Sequence, residues 1–182
     1  MSETVLKIRI YGDPALRKKA KEVSKVTSEH REILSQMSRI MYEQSGIGLA
    51  SPQVGRTEAM IVVDVGQGLY KLINPKVVKK QGIQALEEGC LSVPGVCIKI
   101  KRADKVLVTA LDDNGKKVSI EAEGLLACCL QHEIDHLKGK LIVDYASFID
   151  KLKIKKKLAA LEKKAKNDIL SEAKNKSCQL QL

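Results

Sequence analysis

Aromatic side chains are scarce in this chain of 182 residues, which has one Phe, four Tyr and no Trp. Proteins that bind nucleic acid by stacking its bases need aromatic platforms, so this class of function is not expected. The hydrophobic content of 44% is ordinary for a globular protein, and the length suits a single domain. The core of that domain must therefore be mostly aliphatic.

The chain also lacks the features of membrane and secreted proteins. No apolar run is long enough to cross a bilayer, so no membrane partner is expected. Residues 1–4 lack the basic-then-apolar layout of a secretion signal. The five cysteines are odd in number and have no framework-like spacing, which favours reduced thiols over disulfides. We therefore predict a cytoplasmic protein.

Charge is abundant and unevenly placed. The formal net charge is +10, and residues 146–182, with ten lysines and four acidic residues, contribute +6 of it. Such a basic segment predicts a polyanionic partner. The alternative interpretation, which is the commoner one, is a helix with a solvated lysine-rich face.

The strongest chemical signal is the stretch Gln131-His132-Glu133-Ile134-Asp135-His136. Two histidines four residues apart lie on one face of a helix, so both rings can reach a single metal ion. Glu133 can point toward that metal without binding it, and can act as general base for an activated water. The alternative is a pair of half-buried histidines on an ordinary amphipathic helix.

Two further stretches have unusual composition. Cys90 lies between Gly89 and Pro94, which favours a rigid, irregular segment. Its thiolate is a candidate third ligand, although a lone buried cysteine is usually inert packing. The stretch 46–55 has no phosphate-binding glycine pattern, but the two glycines flanking Ile47 indicate backbone close to an extended ligand. A plain helix-to-strand connector is the alternative there.

Hydrophobic periodicity predicts three helices and several strands. The helices are expected over 28–45, 125–136 and 148–170, and the strands over 60–65, 70–73, 77–78, 96–101, 106–111, 118–122 and 141–143. Asn74-Pro75 is expected to break one strand run, and 112–115 is typical of a hairpin turn.

The order of these elements predicts an α+β domain. Mostly antiparallel sheets would pack around a central metal-binding helix, with a basic C-terminal helix. We expect one catalytic domain over 1–170 and a polar, frayed tail over 171–182.

Three stretches, 46–53, 88–92 and 132–136, resemble in their order and spacing the three signature motifs of bacterial peptide deformylases. Those motifs read G-x-G-x-A-A-P-Q, E-G-C-L-S and H-E-x-D-H. Each motif alone is modest evidence, whereas three in order are highly specific, and the likeness covers most of the chain. The resemblance implies a hydrolase that removes the N-formyl group from the initiator formyl-methionine of nascent polypeptides and releases formate.

The resemblance also implies a metal centre. Cys90, His132 and His136 would hold one ion and leave the fourth position to water, which attacks the formyl carbon. The family typically uses Fe(2+), which Zn(2+), Ni(2+) or Co(2+) can replace. A Cys/His/His donor set would by itself suit zinc equally well.

Roles for the neighbouring residues follow from the same resemblance. Glu133 would take the proton from the attacking water and deliver it to the leaving amine. The Gln53 side chain and the Leu91 backbone N–H would stabilise the oxyanion. Substrate-binding positions, including those of a methionine side-chain pocket, are expected at Ile47, Gly48, Leu86, Glu88, Gly89, Leu125 and Cys129.

The resemblance further suggests supporting residues, and the chain departs from the family pattern at two positions. Asp135 could pair with Arg102 and orient the ligands, with an ordinary surface salt bridge as the alternative. Cys128 and Cys129 are adjacent, so only one is expected to face the pocket. Ser51 replaces the usual Ala, and Cys97 replaces a basic residue of some relatives.

The resemblance implies a ribosome partner, and two rival functions share part of the sequence pattern. In bacterial relatives the C-terminal helix docks on the ribosome, and lysines here suit RNA contact; a monomer is expected. One rival is a zincin-type endopeptidase, which shares H-E-x-x-H but not an upstream cysteine ligand. The other is an RNA-associated protein whose structural metal has Cys97 or Cys129 as a fourth ligand.

Overall fold

The computed structural model describes the backbone of residues 6–179 and the side chains of residues 6–171. The end of the predicted tail, 180–182, lies outside the described residues. The helices are α1 Ser28–Glu43, α2 Gly124–His136 and α3 Phe148–Gln179. The strands are β1 Gly48–Ala50, β2 Met60–Val63, β3 Tyr70–Gln81, β4 Gln84–Gly89, β5 Cys97–Arg102, β6 Lys105–Leu111 and β7 Lys117–Glu123. Short 3-10 helices cover Pro14–Arg17, Ser51–Val54 and Ile142–Tyr145.

The strands form two antiparallel sheets. The larger has the strand order β1-β2-β3-β6-β7, and the smaller pairs β4 with β5. The prediction of an α+β domain with mostly antiparallel sheets is confirmed. Strands β1 and β4 each have an edge without a partner strand among the described residues.

A different helix packs on each face of the large sheet. Met60 and Val62 of β2 cluster with the apolar stripe of α1, whereas Ile61 and Val63 cluster with α2. Because successive residues of a strand point to opposite faces, a wholly apolar β2 is what a sheet covered on both sides requires. The sheet thus forms a central layer between α1 and α2.

Helix α2 is almost entirely buried, and its two sides have different partners. Leu126, Ala127 and Leu130 pack into the core cluster of the large sheet. The polar side of α2 faces the β4–β5 sheet, where His132 contacts Glu88. Gly139 follows the helix at φ +73°, and a Cβ there would lie 2.6 Å from the carbonyl oxygen of Arg17. Glycine is therefore required at the point where the chain leaves α2.

Two strand predictions are wrong. Asn74-Pro75 does not break the run, because β3 continues through it with a bulge between Ile73 and Lys76. Asn74 adopts φ +54°, and its side chain hydrogen-bonds the backbone N–H and C=O of Val23, both at 2.8 Å. The segment 141–143 is not a strand but leads into the 3-10 helix Ile142–Tyr145, in which Asp144 accepts a hydrogen bond from the Leu141 backbone N–H at 2.8 Å.

Helix α3 packs on a third core cluster with one side only. Ile154, Leu158 and Leu161 lie against this cluster, and Ala165 is buried. The helix continues past residue 171, so the division of the chain into 1–170 and 171–182 stays a prediction. Among the described residues no helix combines the length and the apolar character that crossing a membrane requires.

Candidate active site

Three side chains from distant parts of the sequence converge at one point. Cys90 directly follows β4, and His132 and His136 lie one turn apart on α2. Their ligand atoms all lie within 4.8 Å of one another. The Cys90 Sγ is 3.4 Å from His136 Nε2, which is 3.2 Å from His132 Nε2. One sulfur and two imidazole nitrogens arranged in this way are a donor set that suits several divalent metal ions.

The pKa values of the two histidines are shifted in opposite directions. Burial, followed by the nearby charge of His132, holds the pKa of His136 well below its ordinary value, so this ring is neutral and has a lone pair to offer. Burial also lowers the pKa of His132, but hydrogen bonds to Cys90 and Glu88 outweigh burial and raise it to about 10. A metal that binds His132 must therefore displace a proton.

A buried ion-pair network fixes the orientation of His132. Glu88 Oε2 lies 2.8 Å from His132 Nδ1, so the Nε2 atom is left facing the other two donors. The Arg102 guanidinium bonds both oxygens of Glu88, at 2.5 and 2.9 Å, and reaches Asp135 at 2.8 Å. Burial opposes ionisation of Glu88, but these contacts hold its pKa down to about 2. The pair Arg102–Asp135 is therefore largely buried and is connected to His132 through Glu88, unlike an ordinary surface salt bridge.

Glu133 lies on α2 between the two histidines, with its carboxyl group buried. Its Oε2 atom has no hydrogen-bond partner among the described residues. Burial raises the pKa of Glu133 to about 7. A Cβ at Gly48 would lie 2.8 Å from Cys129 Sγ and would also collide with Glu133 Oε1. The backbone of β1 can approach Glu133 this closely only because residue 48 is glycine.

Gln53 is buried and its amide group is oriented by three contacts. The Oε1 atom accepts a hydrogen bond from the Ala50 backbone N–H at 2.7 Å. The Nε2 atom therefore points the other way, donating to Ser92 Oγ at 3.2 Å and toward Cys90 Sγ at 3.6 Å. Leu91 follows Cys90 directly and lines the same cavity. Both predicted oxyanion donors thus lie beside the convergent ligands.

A cavity of about 590 Å³ opens onto this group. It lies beside the unpaired edges of β1 and β4. Its lining includes every residue that the sequence predicts to bind substrate: Ile47, Gly48, Leu86, Glu88, Gly89, Leu125 and Cys129. Cavities of this size, with both apolar and polar walls, are typical of small-molecule sites.

The prediction that only one of Cys128 and Cys129 faces the cavity is wrong. Both residues line it. Neighbouring residues on a helix diverge by about 100°, and the cavity is broad enough to reach both. Their thiols have different partners, since Cys129 donates to the Ile47 carbonyl at 3.4 Å and Cys128 to Glu88 Oε1 at 3.3 Å.

The departures from the family pattern lie outside the convergent group. Ser51 is fully buried, and its Oγ atom donates to the Glu58 carbonyl and accepts from the Met60 backbone N–H at 3.3 Å. Cys97 is exposed on β5, opposite Gly89. Among the described residues, the group that could hold a metal contains neither Cys97 nor Cys129, so the rival closed site with four protein ligands lacks support.

Two supporting residues were missed by reasoning from the sequence alone. The Tyr145 hydroxyl donates to Asp135 Oδ2 at 2.7 Å, and the Arg102 guanidinium lies 5.4 Å from the Tyr145 ring centre. Cys128 bonds the same Glu88 that orients His132. No local sequence pattern identifies either residue, because each contact joins two different segments of the chain that only the fold brings together.

Comparisons with known proteins agree with this geometry. A family model described as Polypeptide deformylase matches residues 5–152. The peptide deformylase of Halothermothrix orenii is 51% identical over 142 residues, which are 77% of this chain and 92% of the relative. That of Thermodesulfovibrio yellowstonii is 44% identical over 158 residues, covering 84% and 96%.

A solved structure is similar throughout. The peptide deformylase from Synechococcus elongatus in complex with actinonin superimposes with a TM-score of 0.81 at 41% identity, covering 86% of this chain and 88% of that one. Matches of this extent in sequence and structure place the three motifs within one common fold. The chain therefore belongs to the peptide deformylase family, hydrolases that remove the N-formyl group from nascent peptides.

Proposed function

We propose that Cys90, His132 and His136 hold one divalent metal ion and that the neighbouring residues use it to hydrolyse the formyl group of formyl-methionyl peptides. The observation that carries the proposal is the meeting of three donor atoms within 4.8 Å beside a buried carboxyl oxygen that has no other partner among the described residues. On this account α2 is the metal-binding helix. Fe(2+) is the proposed native ion, with Zn(2+), Ni(2+) or Co(2+) as substitutes.

The residues present fit such an ion. Two imidazoles and a thiolate leave room for further small ligands, whereas a structural site has four protein ligands. When bound, a divalent ion supplies Lewis acidity, polarising the formyl carbonyl and lowering the pKa of a water to about 7. Glu88 holds the Nδ1 side of His132, which is the support that metal-binding histidines usually have.

Glu133 is the proposed general base and acid. Its side chain lies beside β1 at the cavity, and burial brings its pKa near neutrality. A carboxylate with this pKa accepts a proton from the attacking water and can return it to the leaving amine. Its Oε2 atom, which has no partner among the described residues, is the site at which that proton would be held.

Gln53 and Leu91 are the proposed oxyanion stabilisers. The carbonyl of Gln53 is held by Ala50, so its N–H groups are fixed toward Cys90 and need no reorientation during the reaction. Donors that are oriented in advance lower the barrier because charge develops on the formyl oxygen only as its carbon becomes tetrahedral. The Leu91 backbone N–H, next to Cys90, would supply the second donor.

The cavity suits an extended peptide that starts with methionine. Strands β1 and β4 present unpaired edges at Gly48 and Gly89, to which a peptide backbone can bond as an added strand. Ile47, Leu86 and Leu125 offer apolar walls to an unbranched thioether side chain. Actinonin, which the Synechococcus elongatus relative binds, should occupy the same cavity.

Formate release from formyl-Met-Ala-Ser by anaerobically iron-loaded protein tests the proposal. We expect activity that is lost in air, and that is lost more slowly after nickel loading. Actinonin should abolish it. Absence of formate together with cleavage of internal peptide bonds would instead support the zincin-type rival.

We also propose that α3 brings the enzyme to the ribosome. The described part of α3 carries exposed lysines on the side that faces away from the core, and such charge attracts RNA phosphates without sequence preference. We further propose a monomer in the cytoplasm with one catalytic domain over 1–170 and a polar tail over 171–182.

Replacement of exposed lysines is a cleaner test of this contact than removal of α3, because Leu158 and Leu161 pack in the core. We expect a quadruple variant to pellet less with ribosomes at low salt. It carries Lys155→Gln, Lys156→Gln, Lys163→Gln and Lys166→Gln. The control, with the same charge change, replaces Lys79, Lys80, Lys99 and Lys116. Equal pelleting of the two variants would contradict a specific role for α3.

A further inference from the structure

We propose that Cys128 is a positioning residue for His132, acting through a hydrogen bond from its thiol to Glu88. This inference rests on the proposed function, in which His132 is a metal ligand. Cys128 lies one turn of α2 before His132, so the two side chains share a face of the helix. The Glu88 carboxylate spans them, with Oε1 3.3 Å from Cys128 Sγ and Oε2 2.8 Å from His132 Nδ1.

The thiol acts as a donor in this contact. Both oxygens of Glu88 accept hydrogen bonds from the Arg102 guanidinium, so Glu88 is an ionised carboxylate, which can only accept. Burial and the nearby Glu88 charge raise the pKa of Cys128 to about 12, so the S–H group keeps its proton. The contact is therefore an S–H···O⁻ hydrogen bond, and a side chain without a polar hydrogen cannot replace it.

The bond completes the set of donors around Glu88. Arg102 supplies two of the four, at 2.5 and 2.9 Å, His132 supplies the third and Cys128 the fourth. Each carboxylate oxygen thereby has two donors. Glu88 is only 7% exposed, so an oxygen that loses one of its two donors has few waters within reach to replace it.

The orientation of this carboxylate determines which nitrogen of His132 is presented at the site. While Oε2 accepts from Nδ1–H, the Nε2 atom faces Cys90 and His136, as the ligand geometry requires. Loss of the Cys128 donor leaves Oε1 with Arg102 alone and loosens the orientation of the carboxylate. The ring of His132 then loses part of its orientation, although none of the three ligands has changed.

The competing explanation is that Cys128 merely fills space between α2 and β4. Three substitutions separate the explanations. Cys128→Val fills the space with a somewhat bulkier side chain but has no donor, Cys128→Ser keeps a donor but is smaller, and Cys128→Ala loses both. If the thiol only fills space, Val should resemble the wild type and Ser should resemble Ala. If it positions His132, Ser should be the better replacement.

Cobalt(II) affinity of the metal-free protein, measured by chelator competition, is the decisive readout. We expect Cys128→Val to bind about 3–10-fold more weakly than the wild type, less than the 10–100-fold typical of direct partners of a ligand. Cys128→Ser should recover most of the loss. The matched control Cys97→Val, at an exposed thiol, should bind as the wild type does.

A second measurement does not depend on metal binding. In the metal-free protein, nitrogen-15 NMR should show the Nδ1 proton of His132 exchanging slowly with water in the wild type and in Cys128→Ser, and faster in Cys128→Val. The inference is overturned if Cys128→Val matches the wild type in affinity and in exchange. Failure of the proposed function would look different, because cobalt affinity would then be unaffected by Cys90→Ala in an otherwise wild-type chain.

Discussion

The Arg102 guanidinium donates two hydrogen bonds to the Glu88 carboxylate, with Nε 2.5 Å from Oε1 and Nη2 2.9 Å from Oε2. The two residues lie on paired strands of the small sheet, and both side chains are only 6% exposed. Glu88 also contacts His132, and Arg102 also donates a hydrogen bond to Asp135. The pair thus ties the β4–β5 sheet to α2 where the proposed ligands meet.

Arg102→Gln should destabilise the fold and weaken metal binding together. It leaves the buried Glu88 and the partly buried Asp135 without their cation, and breaking a buried pair in this way typically costs about 3–5 kcal/mol of unfolding free energy. Urea unfolding of the metal-free protein measures this cost. Lys105→Gln, which breaks the exposed ion pair with Glu123, is the control and should cost much less, because water and salt screen an exposed pair. Equal costs for the two variants would contradict the buried network.

Glu133→Gln should retain metal and lose turnover. The amide has the shape of the carboxyl group but cannot take a proton from water, and general base catalysis typically contributes about 10²–10⁴-fold. Metal content and kcat for formate release should be measured on the same preparation. A variant that holds one metal per chain and turns over within about threefold of the wild type would exclude Glu133 as the base.

Gln53→Ala should lower kcat by about 10²–10³-fold, or about 3–4 kcal/mol of barrier, because one oxyanion donor is lost. It should leave metal affinity largely unchanged, since Gln53 is not one of the three proposed ligands. Ser92→Ala is the comparison, because it removes a partner of Gln53 Nε2 but keeps the amide, and its loss should be smaller. An unchanged kcat for Gln53→Ala removes this residue from the mechanism.

Ser51→Ala should affect stability and not catalysis. The hydroxyl is buried and bonds the Glu58 carbonyl and the Met60 backbone N–H, which fixes the start of β2. Losing it leaves buried backbone groups without a partner, at a cost of about 1–3 kcal/mol. Thermal or urea unfolding should detect this cost while kcat and KM for formyl-Met-Ala-Ser stay within about twofold, a margin of about 0.4 kcal/mol. A large change in KM would instead assign Ser51 a role in substrate binding.

Local patterns predicted most of the fold. The apolar stripe of α1 and the hairpin of β6 and β7 follow from periodicity and turn residues, and both are present. The failures have tertiary causes. Asn74 has a positive φ that Val23, fifty-one positions earlier, holds in place with two hydrogen bonds. A rule that treats Asn-Pro as a strand breaker cannot include a partner so far away in sequence.

In the site, too, local patterns could be predicted from the sequence, whereas tertiary contacts could not. The spacing of His132 and His136 on a helix indicates by itself that both rings can reach one metal ion. The contacts of Glu88 could not be predicted in this way, because its partners Arg102, Cys128 and His132 come from β5 and α2. Sequence reasoning placed Glu88 in the substrate pocket, which it does line, but gave no sign that its carboxylate bonds a proposed ligand.

X-ray absorption at the iron edge of anaerobically loaded protein tests the central claim most directly, because it counts the atoms bound to the metal. We expect one sulfur and two imidazole nitrogens per iron, with the remaining ligands light atoms from solvent, and loss of the sulfur in Cys90→Ser. Two sulfurs, no sulfur, or a spectrum that Cys90→Ser does not change would contradict it.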